Sequence, residues 1–574
     1  MSFQIKKTAK TYDVCIVGSG AGGGMAAKVL ADAGFKIAML EAGPDFDPKN
    51  PDQRTQLRWP WESPRRGAST TRPFGDFDMA YGGWELDGEP YTKAANTEFD
   101  WFRSRMLGGR TNHWGRISLR FGPLDFKRKD YDGKGDNWPI GYKDVQPYYD
   151  KVDKLIGVFG TKENIPNEPD GYFLPPPKPR LHELYIQKGA AKSGIPMIPS
   201  RLSILTRTVN KQRGACFYCS QCSRSCSVYG DFSSSSVLVK PALETGNLDL
   251  YVNAMVREVI TNGEGEVQGV SYIDKEDLKD YTIKARVVIL AASACSSARI
   301  LLNSKSANHP EGLANSSGVV GHYLHDSTGS SRMGFLPDLM DRKRYNEDGV
   351  GGMHLYTPWW LNGKMNLGFT RGYHIEYWGG MGMPSYGFGF NTTELQNITG
   401  STKSAYGKGL KNDIKRFYGA TFGMAGRGES IPRKENYCEI DHQVVDKYGI
   451  PVLKFNYSWS EEEVKQAAHM QDTFEEIIHQ MGGVPLGKKA GKETSYGLEN
   501  PGRIIHEVGT TRMGNDPKTS VVNSYNQAHD VPNLFIMDGG PFVSQADKNP
   551  TWTILALAWR ASDYLTQELK NGNI

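Results

Sequence analysis

YDVCIVGSGAGGGMAAKVLADAGFKIAMLEAG, residues 12–43, is the stretch whose reading decides the fold. It opens on six residues, 12–17, that are mostly apolar and include the β-branched types that favour a strand. A run of small residues, Gly18-Ser19-Gly20-Ala21-Gly22-Gly23, follows and leads into a helix predicted through position 33. A second strand over 35–40 then ends in Glu41. Strand, glycine turn, helix and strand, in that order, open a doubly wound α/β fold.

Gly18, Gly20 and Gly23 make G-x-G-x-x-G between that strand and helix. Such a turn needs one glycine to bend, a second to admit a pyrophosphate, and a third for close helix–strand packing. Ser19, Ala21 and Gly22 complete a loop whose N–H groups, at a helix N-terminus, suit phosphate. Glu41 falls near the offset at which an acid accepts ribose hydroxyls. The reading is dinucleotide binding, and the pattern by itself does not separate FAD from NAD.

At 574 residues the chain predicts two to four domains. Charged residues at 23% and aromatics at 11% fit a folded soluble protein rather than a disordered one. A formal charge of +4 is small for this length and gives no support to nucleic-acid or polybasic membrane binding. No apolar run reaches bilayer length, and the longest, 287–295, reads as a buried strand. The first residues lack an apolar h-region and a small-residue cleavage site, so no secretory peptide is expected. The expected location is cytoplasmic, or periplasmic by co-export with a partner subunit.

Working outward, residues 44–100 read as irregular excursions rich in Pro, Gly, Asp and Trp. A turn and helix are predicted over 137–158, and LPPPKP at 174–179 reads as a stiff connector. Strand-like segments follow between 248 and 292. From about 331 to 500 the texture becomes Gly- and aromatic-rich (HLYTPWW, GYHIEYWGGMGM, SYGFGF), as in an antiparallel sheet. An amphipathic helix over 460–481 interrupts it; a strand at 533–537 and a helix from 551 to about 569 close the chain.

Three further segments resemble the glucose-methanol-choline (GMC) family of flavoenzymes. They are Glu41-Ala42-Gly43, the run Leu107-Gly108-Gly109-Arg110-Thr111-Asn112-His113-Trp114, and a C-terminal block. The block is His506-Glu507-Val508-Gly509-Thr510-Thr511-Arg512-Met513-Gly514, then Asp538-Gly539-Gly540, then Asn549-Pro550-Thr551. Residues 291–302 and 312–326 are similar too, so the resemblance spans most of the chain.

The resemblance implies FAD as cofactor and oxidation of an alcohol carbon, with hydride passing to flavin N5. It implies His506 as the base that takes the hydroxyl proton, a role suited to a neutral imidazole. Asn549, at the family's second active-site position, would hold the substrate oxygen. The glycine pair and its neighbours up to Trp114 would lie along the flavin, Val256 would touch the adenine, and Asp538, Gly539 and Thr551 would contact the cofactor. The Asn-His-Trp run looks like the stretch that bears a histidyl–flavin bond in pyranose 2-oxidases; a noncovalent flavin with His113 beside the ring is expected, and the covalent form stays open. These features point to a secondary hydroxyl of a sugar or glycoside, such as C3, with C1 or C2 close behind. Trp359, Trp360, Tyr373, His374 and Trp378 are candidates for stacking on that sugar or for ordinary sheet core.

Four of seven cysteines crowd together: Cys216, Cys219, Cys222 and Cys226, spaced C-x2-C-x2-C-x3-C. That is ferredoxin-like spacing for an iron–sulfur cluster, although Ser227 stands where ferredoxins often have Pro. Zinc and uncoordinated thiols stay open as alternatives. In related three-subunit sugar dehydrogenases a similar loop binds [3Fe–4S]; here [3Fe–4S] or [4Fe–4S] is expected, relaying electrons to a partner. A small subunit and a cytochrome acceptor are the implied partners. Cys15, Cys295 and Cys438 read as small buried hydrophobes.

The expected architecture is α/β (α+β overall): a Rossmann-like FAD domain from 1–165, 214–330 and 501–574, and an antiparallel-sheet substrate domain from 166–213 and 331–500. The expected activity is that of a sugar or glycoside dehydrogenase, with an oxygen-using oxidase and a polyol or sugar-acid dehydrogenase as alternatives. A lyase with a non-redox flavin, and a noncatalytic flavin-binding subunit, are the remaining rivals.

Overall fold

The computed structural model describes residues 10–53, 82–220, 222–343, 349–363, 367–380, 392–401 and 406–574. The middle of the 44–100 run and SYGFGF at 385–390 lie outside the described residues.

The opening unit forms as read: β1 (Thr11–Val17), α1 (Ala21–Asp32) and β2 (Ile37–Leu40). β1 and β2 pair in parallel, Val14 opposite Ile37 and Val17 opposite Leu40. Both are nearly continuous apolar runs because both faces of a parallel sheet are covered. The glycines of α1 let it lie against backbone. A Cβ on Gly22 would fall 1.5 Å from the Met537 carbonyl oxygen, and one on Gly23 2.0 Å from that of Gly18. Gly18 itself bends the chain at a φ of +97°, a left-handed value that favours glycine.

The predicted helix over 137–158 is α2 (Tyr142–Ile156), and after the Pro-rich connector comes α3 (Leu181–Lys192). Four strands return to the first sheet: β3 (Leu248–Tyr251), β4 (Ala254–Thr261), β5 (Val267–Asp274) and β6 (Asp280–Leu290). β3 pairs in parallel beside β2, and β6 in parallel on the other side of β1. β4, β5 and the first half of β6 form an antiparallel meander. α4 (Ala294–Asn303) leaves the end of β6.

The second sheet begins with β7 (Thr328–Phe335), followed by β8 (Tyr373–Gly379) and β9 (Thr421–Gly428). A hairpin, β10 (Tyr437–Val445) and β11 (Pro451–Asn456), comes next. Then follow α5 (Glu461–Gln480) and β12 (Val484–Leu486). The four-stranded order is β8-β9-β7-β12, antiparallel throughout. α5 starts on a capping box: the Glu462 N–H donates to Ser460 Oγ over 3.3 Å, and the Ser460 N–H donates to Glu463 over 2.6 Å. Its apolar side, with Met470, Phe474 and Ile477, buries one face of this sheet.

β13 (Leu534–Ile536) rejoins the first sheet, parallel to the end of β6, and α6 (Thr551–Asn571) packs on α1 and α2. The parallel core therefore reads β3-β2-β1-β6-β13, a doubly wound arrangement in which ligands bind beyond the carboxyl ends of the strands.

Gly22 and Gly20 separate two demands on this unit. Gly22→Val forces α1 off the Met537 backbone and is expected to destabilise the fold by about 3 kcal/mol, as overpacking of a tight core does. Gly20→Ala meets nothing within 4 Å and should leave the unfolding midpoint of the cofactor-free protein unchanged. Denaturant unfolding of the two variants checks this.

Candidate active site

A cavity holding about 1810 Å³ of empty space, counted out to its open mouth, lies at the carboxyl ends of β1, β2 and β6. At one end Ser19, Gly20, Ala21 and Gly22 line it with the first turn of α1. A Cβ built on Gly20 finds open space there, whereas those on Gly18 and Gly22 strike backbone. The free N–H groups at the head of α1 thus look into room for a phosphate-bearing group.

Glu41 closes β2 in a buried position. Its carboxylate accepts from Ser19 Oγ at 2.5 Å and from the Gly43 N–H at 2.9 Å. Burial pushes its pKa up, and the Ser19 and Gly43 hydrogen bonds oppose that rise. Ala42 and Val256 line the same end of the cavity. Ser19 Oγ also accepts the Gly108 N–H over 2.9 Å, which brings the second glycine run against the first. A Cβ on Gly109 would lie 3.9 Å from the Gly20 Cα.

The 107–114 run divides by role. Gly109, Arg110, His113 and Trp114 line the cavity. Asn112 is fully buried: its amide donates to the carbonyls of Leu107 and Gly109, and its oxygen accepts from Ser235 at 2.9 Å. Asn112, with Gly23 and Gly108, is not among the cavity-lining residues; these three shape the walls from behind. Arg110 pairs with Glu507 at 2.7 Å and so fastens this run to the C-terminal block. His113 Nε2 lies 3.2 Å from Ser104 Oγ, its ring edge-on to Phe102. Trp114 Nε1 donates to the Phe232 carbonyl.

Asp538, Gly539, Asn549 and Thr551 form the opposite wall with His506. Asp538 accepts from Ser297 Oγ at 2.5 Å and from the Gly540 N–H at 2.8 Å, and burial raises its pKa to about 6. Asn549 Nδ2 stands 3.3 Å from His506 Nε2. Its Oδ1 is buried without a hydrogen-bond partner among the described residues. The His506 backbone N–H donates to Asp326 over 2.9 Å, and Nδ1 lies 3.0 Å from Ser327 Oγ. Burial lowers the His506 pKa to about 3; the Glu376 carboxylate pulls the other way, while Arg427, His374 and Arg110 add to the lowering.

Glu376, His374 and Arg427 come from the second sheet. On β8 the side chains alternate: Tyr373, Ile375 and Tyr377 go into the core under α5, and His374 and Glu376 take the other face. His374 pairs in register with Arg427 of β9. Its Nδ1 donates to the Asp547 carbonyl over 2.6 Å, and its Nε2 lies 3.2 Å from Glu376. Glu376 also pairs with Arg427 at 3.5 Å, and Arg427 and His374 help hold its carboxyl down at about 2. Of the aromatic candidates, Trp359, Trp360 and Tyr373 pack on one another as sheet core, with ring centroids 5.1–5.8 Å apart, and Trp378 is exposed. None of them lines the cavity.

The four cysteines find no support as a ligand set. They share one loop, but among the described residues no group of three or more His, Cys, Asp or Glu side chains is arranged to hold a metal ion. Three of the sulfurs accept backbone N–H groups: Cys216 from Tyr218, Cys222 from Gly351, and Cys226 from Gly230, at 3.3–3.4 Å. Burial raises the thiols, Cys216 to about 12 and Cys226 to about 11. Among the described residues, the iron–sulfur expectation therefore gains no support.

Comparison with known proteins agrees with the geometry. Family models described as GMC oxidoreductase match residues 21–328 and 432–558. The chain is 28% identical over 577 residues to a 2-methyl-1,2-propanediol dehydrogenase of Mycolicibacterium austroafricanum, covering 98% of this chain and 97% of the relative. It is 24% identical to the fructose dehydrogenase large subunit of Gluconobacter japonicus, with 98% of both chains covered. The structure matches that of pyridoxine 4-oxidase from Mesorbium loti with a TM-score of 0.60 at 15% identity, over 97% of this chain and 99% of that one.

The pH dependence follows from the half-buried imidazole. An ordinary histidine protonates near 6.5; with its pKa lowered to about 3, His506 keeps its lone pair as pH falls, and loses it only in strong acid. Substrate-driven reduction of the bound cofactor, followed by stopped-flow absorbance, should therefore show no loss centred near pH 6.5. A fall in rate with that midpoint contradicts the assignment.

Proposed function

The chain belongs to the GMC oxidoreductase family and is an oxidoreductase acting on CH–OH groups; from that premise we propose that it oxidises a secondary hydroxyl of a sugar or glycoside, with His506 as the base, and passes the electrons to a partner protein. The single observation behind this reading is the His506–Asn549 pair, 3.3 Å apart on the cavity wall.

The residues present fit the FAD that the family implies. The open space at Gly20 and the head of α1 suit its diphosphate, Glu41 its ribose, and Val256 its adenine. FAD, when bound, supplies the two-electron acceptor against which the alcohol carbon is oxidised. His506 then takes the hydroxyl proton on Nε2, which makes the oxygen alkoxide-like and weakens the adjacent C–H bond. Asn549 cannot accept a proton; its unpartnered Oδ1 and its amide N–H orient the substrate oxygen. Burial keeps His506 neutral and ready as a base. The domain division at 166–213 and 331–500 belongs to the same reading, with β8 and β9 presenting His374, Glu376 and Arg427 toward the substrate side.

Relatives named as a fructose dehydrogenase large subunit and a C-glycoside 3-oxidase support the sugar or glycoside. The term "large subunit" in one, and dehydrogenase in several, supports a partner rather than oxygen as acceptor. No step is routed through the cysteine loop, where no metal-holding group is found among the described residues. A second reading, a small aliphatic diol, is favoured by the 28% identity to the propanediol dehydrogenase.

The test is anaerobic addition of D-fructose, D-gluconate, methyl glucosides and 2-methyl-1,2-propanediol to the FAD-loaded protein. Bleaching of the flavin by a ring sugar or glycoside is expected, with His506→Ala slowing it about 100-fold or more, the share a general base contributes. Bleaching by the diol alone selects the second reading. A flavin that no alcohol bleaches contradicts both.

A further inference from the structure

His506 is gripped at both ring nitrogens, and both grips lead to one loop. The segment between β13 and α6 carries Gln545 and Asn549. Asn549 reaches Nε2 directly. Gln545 reaches Nδ1 through Ser327, donating from Nε2 to Ser327 Oγ over 2.6 Å, with Oγ in turn 3.0 Å from His506 Nδ1. Ser327 and Gln545 are buried, at 2% and 0% exposure, so no solvent competes for these bonds. Ser327 follows Asp326, whose carboxylate accepts the His506 N–H, so two adjacent residues hold the ring and its backbone.

The donor inventory selects one tautomer. An amide nitrogen only donates, so His506 Nε2 accepts from Asn549 and is bare of hydrogen. A neutral imidazole has one proton, which then sits on Nδ1 and is donated to Ser327 Oγ. A serine oxygen has two lone pairs; Nδ1–H takes one and the Gln545 amide the other. The bare nitrogen is the one beside Asn549, on the cavity wall, and the substrate hydroxyl takes the place of the Asn549 N–H at its lone pair.

We propose that Ser327 and Gln545 are positioning residues for the alcohol oxidation, holding His506 in the Nδ1–H tautomer so that Nε2 faces the substrate hydroxyl. The proposal rests on the reading of His506 as the base. In the step it serves, the O–H bond breaks and an Nε2–H bond forms, while the C–H electron pair leaves to the bound FAD. Nδ1 keeps its proton and its Ser327 partner throughout, so the positive ring that results is still hydrogen-bonded at Nδ1. Without Ser327 the buried Nδ1–H is unpaired; the proton then moves to Nε2, where it blocks the base.

Two measurements on the FAD-loaded enzyme test this. In ¹⁵N-histidine-labelled wild type, the ring signals that vanish in His506→Asn should show a protonated Nδ1 and a bare Nε2. In stopped-flow reduction by the fastest alcohol of the panel above, Ser327→Ala should lower the limiting rate about 10-fold or more, as loss of an imidazole-orienting partner does. Substrate affinity should stay within about twofold, since uniform binding is untouched. Ser327→Thr, which keeps the hydroxyl, should restore the rate. A wild-type ring protonated on Nε2 overturns the proposal, as does Ser327→Ala reducing at the wild-type rate while His506→Ala does not. Should His506→Ala itself reduce at the wild-type rate, the base reading falls and takes the proposal with it.

Discussion

The hydrogen bond from the His506 backbone N–H to Asp326, with Ser327 beside it at Nδ1, joins the C-terminal block to the residues that lead into β7. The chemistry argued above needs an imidazole that is neutral, oriented and close to a cofactor cavity, and these contacts supply the orientation. Desolvation of the half-buried ring supplies the neutrality, because taking it out of water penalises its charged form. The parallel sheet supplies the cavity, at the ends of β1, β2 and β6.

Buried charges fix the other half of the pair. Lys548, next to Asn549, is almost fully buried and contacts Asp125 at 3.1 Å and Asp547 at 2.8 Å. Arg128 joins Asp125 to Glu429, and Glu429 in turn meets Arg371 just before β8. Such buried ion networks add little net stability, since desolvation offsets attraction, but they penalise any other arrangement of the chain. Here they connect the 545–549 loop to the start of β8 and the end of β9 in the second sheet. His374 adds a direct tie through the Asp547 carbonyl.

Much of this was legible in the sequence where the signal is local. The strand, Gly18–Gly23 turn, helix and Glu41 lie within thirty-odd residues, and each obeys a rule of backbone geometry that needs no distant partner. The amphipathic pattern over 460–481 marked α5 for the same reason. His506 and Asn549 were legible through the company they keep in a motif. Ser327, Gln545, Glu376 and Arg427 were not, because an isolated polar residue announces no partner, and theirs lie on other elements, joined only by tertiary packing. The aromatic run at 359–378 could be read as core or as a sugar platform; only the alternation of β8 under α5 showed which side chains face inward. The cysteine spacing shows which thiols share a loop, while burial and backbone N–H donors govern where the sulfurs point.

The central claim is that FAD lies in this cavity with its reactive ring against His506 and Asn549. An experimental structure of the FAD-loaded protein tests it most directly. The account predicts the adenine end beside Val256 and Glu41, the diphosphate at Gly20 and the head of α1, and the isoalloxazine in contact with the wall formed by His506, Asn549 and Thr551. An isoalloxazine bound elsewhere, with His506 facing only protein, would contradict it.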